Sequence, residues 1–170
     1  LQARYAVCRV SQGRYPDARR WAQRAVGEAT AAGERDALAQ AHLVLHTVEL
    51  WSAGPESEQH GVTALHLFEQ LGDLVGQAHA LNNLALAYGN AEAYGPAVRL
   101  VEQALALCTA QGDRHREAAL HNNLADLLHA SGQAEAALQH VKQSVTIYAE
   151  LGTATSAGRS GNSSVMEPGA

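Results

Sequence analysis

Aromatic residues are scarce in this chain. One Phe, two Trp and five Tyr make up 5% of 170 residues, while 46% are apolar. A core that is apolar yet nearly free of rings must be filled by Ala and Leu, which helix-on-helix packing permits. Cysteine is equally sparse. Cys8 and Cys108 have neither metal nor redox spacing, so they read as free thiols in a reducing cytoplasm, with no disulfide. Lys142 is the only lysine, and 12 basic residues stand against 17 acidic ones for a net charge of −5. A nucleic-acid groove needs a concentrated basic stripe to displace counterions, and the scattered arginines supply none, so nucleic acid is excluded as a partner. Long apolar runs are missing too, which excludes a signal peptide or a membrane span. There is no glycine-rich phosphate loop with a following Lys, no Gly-x-Ser-x-Gly elbow and no paired-cysteine zinc motif. A non-enzymatic chain without a cofactor is therefore expected.

What the sequence does have is repetition. Leu81-Asn-Asn-Leu-Ala-Leu-Ala-Tyr88 returns as His121-Asn-Asn-Leu-Ala-Asp-Leu-Leu128, forty residues on. The same period separates Gly33-Glu34, Gly72-Asp73, Gly112-Asp113 and Gly152, each after an apolar helical pattern. A glycine there can take the left-handed conformation that closes a helix, and the following Asp can cap the next one, so these are hinges between helices. Inside each period lies a second break: Gly13-Arg-Tyr15-Pro16, Gly54-Pro55, Tyr94-Gly95-Pro96 and Ser131-Gly132. Proline is tolerated in a first helical turn, so each period reads as helix, tight turn, helix. Small residues recur between the two helices, as Ala6, Ala18 and Ala25, as Ala85, Ala97 and Ala104, and as Ala125, Ala137 and Ser144. Close helix crossings need such side chains.

At these residues the chain resembles the tetratricopeptide repeat, and Asn-Asn-Leu-Ala is similar to the first helix of kinesin light chain repeats. The resemblance implies an all-α solenoid, a right-handed superhelix of four helix-turn-helix units over 1–33, 34–72, 73–112 and 113–152. The second unit departs from the pattern: Gln40-Ala-His42 matches Gln77-Ala-His79 at an offset of 37, and Gly61 stands near where a larger residue is usual. The small, polar residues 153–170 have nothing to bury and are expected to form a disordered tail. Leu1 falls inside a helical pattern, so the chain reads as a piece of a longer protein. Its forty-residue period resembles the repeat segments of large bacterial regulators, which implies a sensor or assembly arm.

The resemblance implies a protein or peptide ligand on the concave face made by successive first helices. The expected groove comprises His42, His46, Glu49, His79, Asn82, Asn83, Asn122, Asn123, Asp126 and His129. In a helix the Asn pairs cannot share the face of Leu84 and Ala85, and an amide suits an extended peptide backbone because it both donates and accepts. The alternative is that these amides bond neighbouring repeats and fix the stacking. Recognition of a C-terminal carboxylate is not expected, because His79, Ala119, Leu86 and Asp126 stand where the resemblance would want Lys or Arg. His42 and His46 lie four apart on one helix, and His79 has a similar place in the next unit, so a three-imidazole metal- or small-molecule-sensing groove is geometrically open. The bland reading is a polar wall with some pH sensitivity. A further rival is self-association into a homodimer through Leu138, Val141, Val145 and Tyr148 on a final helix with no cover.

Overall fold

The computed structural model describes the backbone of residues 2–52 and 57–160. Among them run eight helices: α1 (Gln2–Ser11), α2 (Tyr15–Ala32), α3 (Arg35–Ser52), α4 (Ser57–Leu71), α5 (Leu74–Asn90), α6 (Tyr94–Gln111), α7 (Arg114–Ala130) and α8 (Ala134–Ser160). No strand occurs among the described residues. Each helix packs on the next, and α3 also touches both α1 and α5, so the first helices of successive pairs stand side by side. This is the expected helical-repeat solenoid.

The hinges form as the sequence requires. Gly33, Gly72 and Gly112 have φ of 70°, 66° and 69°. At the last of these, Gly112 N–H donates to the Thr109 carbonyl at 3.1 Å and Asp113 N–H to that of Cys108 at 3.0 Å, which satisfies carbonyls the helix end would leave open. The Asp73 and Asp113 carboxylates then accept from Gly76 N–H (3.0 Å) and Arg116 N–H (3.1 Å), capping α5 and α7. Gly152 behaves differently. It lies within α8, which continues to Ser160 instead of stopping before 153. The residue after it is Thr153, not an acidic cap, and no proline stands between it and Ser160 to stop the helix. Residues 161–170, the rest of the expected tail, and the Gly54-Pro55 break lie outside the described residues.

The glycine–proline motifs Tyr15-Pro16 and Tyr94-Gly95-Pro96 open second helices, as the sequence suggests. Gly95 and Pro96 belong to the first turn of α6, and the left-handed residue of that turn is Glu92 (φ 59°). Gly13 (φ 69°) and Gly132 (φ 83°) hold the equivalent positions in their repeats.

The alanine series lies at the crossings: Ala6, Ala18, Ala85, Ala97 and Ala104 are fully buried. The second repeat achieves the same fit with other residues. Counted from the hinges, α3 starts 39 residues before α5, so the 37-residue match of Gln40-Ala-His42 is not the structural one. In the correct register His46 replaces the crossing alanine Ala85, Ser57 replaces Ala97, and Gly61 replaces Val101. A Cβ on Gly61 would lie 3.0 Å from His46 Nδ1 and 2.6 Å from Leu84 Cδ2. Glycine there makes room for the imidazole, whose Nδ1 meets the Ser57 carbonyl at 2.6 Å.

Candidate functional site: the concave groove

The first helices α1, α3, α5 and α7 line three hollows. The first, about 430 Å³, lies between α1 and α3 and is lined by Ala3, Arg4, Val7, Asp36, Ala37 and Gln40. The second, about 160 Å³, is floored by Val7, Val10, Leu43 and Val44 and edged by Gln40, Thr47, His79 and Asn83. The third, about 370 Å³, lies between α5 and α7 and is lined by Ala78, His79, Asn82, Asp113, His115, Arg116, Ala119, Leu120 and Asn123. Val7 and Gln40 belong to the first two and His79 to the last two, so the hollows run together as one groove.

Its polar walls are fixed by bonds between repeats. Asn83 Nδ2 donates to Thr47 Oγ1 at 3.0 Å, tying α5 to α3, and Asn123 Nδ2 donates to Asn82 Oδ1 at 2.7 Å, tying α7 to α5. The asparagines therefore fix the stacking of the first helices. Asn83 keeps its carbonyl oxygen and a second N–H outside that bond, so the stacking role leaves capacity for a ligand. Asp113, the cap of α7, holds the Arg116 guanidinium at 3.4 Å beside the third hollow. His79 opens into the groove, yet the surrounding walls exclude enough solvent to lower its pKa, and Arg116 lowers it further against the opposing pull of Asp113 and Asp73.

Four of the expected groove residues, His79, Asn82, Asn83 and Asn123, line these hollows. Asn122, Asp126 and His129 are exposed on α7 but lie outside them. His46 and Glu49 do not belong to an open groove: they are 0% and 1% exposed. His46 is core for the packing reason given above, and Glu49 is held by Arg19 of α2 at 3.1 Å. His42 points to the other side of α3, where its Nδ1 lies 3.0 Å from His60 Nδ1 on α4. The three imidazoles His42, His46 and His79 thus face three different surroundings. Among the described residues, no group of three His, Cys, Asp or Glu is placed to hold a metal ion.

Sequence reasoning missed Gln40 and Thr47 because the 37-residue match misplaced α3 against α5, and it missed Val7 on α1 as well. It missed His115 and Arg116 although the capping Asp113 marks the start of their helix. It also missed that the contact between His42 and His60 has a counterpart two repeats later, where His121 Nδ1 lies 2.9 Å from His140 Nδ1. The paired rings have centroids 5.1 and 5.2 Å apart, and in each pair one ring's Nδ1–H can donate to the Nδ1 of the other. Burial first, then the partner imidazole, lowers the pKa of His42 and of His121.

No helix among the described residues is long and apolar enough to cross a membrane. No curated protein matches the chain in sequence. The fold is similar to a crystal structure of BtubC (BKLC) from P. vanneervenii, with a TM-score of 0.79 and 20% identity over 99% of this chain; the match spans 66% of that chain. It is also similar to a Podosopora anserina putative kinesin light chain with nearly identical TPR-like repeats, with a TM-score of 0.72 and 20% identity over 88% of this chain and 74% of that one. At such identities the likeness shows the fold. Residues 77–150 match the family model described as the tetratricopeptide repeat, whose members are in general protein-interaction modules. The chain thus carries the tetratricopeptide repeat in sequence over α5 to α8, and its likeness in fold to solved repeat structures extends through α1 to α4.

Proposed function

We propose that the groove along α1, α3, α5 and α7 binds an extended segment of a partner protein and that the chain has no catalytic role. The observation that carries this reading is the continuity of the three hollows through Gln40 and His79. An apolar floor in the middle hollow can take a side chain. The amides of Gln40 and Asn83 at its edge, and of Asn82 in the third hollow, supply donors and acceptors for a peptide backbone, whose N–H and C=O groups lose water on docking and need partners. We infer further that the module acts in the cytoplasm as the sensor or assembly arm of a larger bacterial regulator. The forty-residue period and the two free thiols support this.

Selection from a random phage-displayed peptide library tests the groove. Selected peptides should lose affinity at least several-fold on Gln40→Ala or His79→Ala and keep it on Glu102→Ala, an exposed position on α6. Peptides that bind equally well to both groove variants would refute the reading.

A further inference from the structure

We propose that each of the two histidine pairs, His42 with His60 and His121 with His140, is a site for one divalent first-row metal ion that favours imidazole, with Zn²⁺ as the representative. In each pair the two Nδ1 atoms already face each other, at 3.0 Å and 2.9 Å, across the first and second helices of one repeat. Two nitrogens bound to one tetrahedral zinc ion at about 2.0–2.1 Å stand about 3.3–3.4 Å apart. Each pair therefore has to open by only about 0.4 Å, with the rings turning so that both lone pairs aim at the ion. Water can complete the coordination, because all four rings are partly exposed. Two protein ligands hold an ion weakly and exchangeably, unlike the fuller ligand sets of structural zinc sites.

The repeats themselves supply the contrast. At the same places of the third repeat stand Leu81 and Leu100, in one apolar cluster. The second and fourth repeats replace both leucines together, which gives up apolar contact and sets two nitrogen donors on facing helices. Burial keeps the His42 and His121 rings neutral at pH 7, the form that binds a metal. Glu49, held by Arg19, lies 3.9 Å from His60 Nε2, and its charge favours the tautomer that carries the proton there and leaves Nδ1 as a lone pair. Binding at both Nδ1 atoms then moves the one proton between the rings to Nε2 of His42, and no net proton is released. None of the four histidines lines the concave groove, so these sites are independent of the peptide reading.

Equilibrium dialysis of the full chain against Zn²⁺, with the bound metal counted by atomic emission, tests the proposal. The His60→Gln and His140→Gln variants should each hold one ion fewer than the unmodified chain, and the double variant two fewer. Cys8→Ser should hold as many as the unmodified chain. Should a variant lose its helicity, proton–nitrogen NMR of the unmodified chain answers the same question. Zn²⁺ should move the Nδ1 resonances of His42, His60, His121 and His140 before those of the exposed His66 and His129. Uptake unchanged in either single variant would overturn the proposal. So would NMR shifts confined to the exposed histidines, or uptake abolished by Cys8→Ser or by excess Mg²⁺, a hard ion that prefers oxygen.

Discussion

Replacing Gly76 by alanine should loosen the joint between the second and third repeats, although alanine is the better helix former. Gly76 lies in the first turn of α5, and a Cβ there would meet three ring atoms of Phe68 inside their van der Waals surface. Phe68 is fully buried between α4 and α5, so its ring cannot swing into solvent. Forcing a methyl group into such a site costs about 1–3 kcal/mol. The gain in helix propensity returns at most about 1 kcal/mol, and less in a first turn. The net effect is a loss on the order of 1–2 kcal/mol. Gly27 provides the contrast, because it lies in α2 with nothing within 4 Å of its Cβ position. Gly27→Ala should gain about 0.5–1 kcal/mol. Urea denaturation followed by far-UV circular dichroism reads both, with midpoints moving in opposite directions. If Gly76→Ala stabilises the chain as Gly27→Ala does, the close approach of α4 and α5 is not as described.

Glu92 holds a left-handed conformation that costs most residues about 1–2 kcal/mol, so Glu92→Gly should raise the urea midpoint; an unchanged or lowered midpoint would place the turn elsewhere. Asp113→Ala removes the cap of α7 and should cost about 1 kcal/mol, seen as a lower midpoint. Acid should destabilise the fold through His42 and His121. Their pKa values are lowered from 6.5 in the folded chain, so below pH 6.5 the unfolded chain takes up protons first. Stability is then full above pH 6.5 and falls as the pH drops toward the lowered values. A urea midpoint that fell less steeply with acid in the His42→Gln, His121→Gln double variant would agree, and an identical slope would not.

Much of the architecture could be read from residues whose role is local. A glycine that must take positive φ, followed by an acidic cap, announces a helix junction wherever it stands, so Gly33, Gly72 and Gly112 fixed the repeat boundaries. The alanine series succeeded for a similar reason, since close crossings tolerate few side chains. The second repeat resisted because its solution is collective: His46 in place of alanine works only with the Ser57 carbonyl to accept its hydrogen bond and Gly61 to clear its space. Each of these residues alone looks like a departure from the pattern. The groove was half legible. A helix period places Asn82, Asn83 and Asn123 on the inner side, but whether His42, His46 or Glu49 opens inward depends on the register of α3. Residue type argued for a polar groove, and three-dimensional packing placed two of those polar groups in the core and one against His60. Gly152 carried the right residue in the right period but lacked the acidic neighbour that starts a new helix.

The most direct test of the account is site-specific photo-crosslinking with a peptide selected on the chain. A photoreactive amino acid placed at position 40 or 79 of the groove should capture the peptide, and the same residue at 102 on α6 should not. Capture at 102 with none at 40 and 79 would show that the partner binds the outer helices, and the concave-groove reading would be wrong.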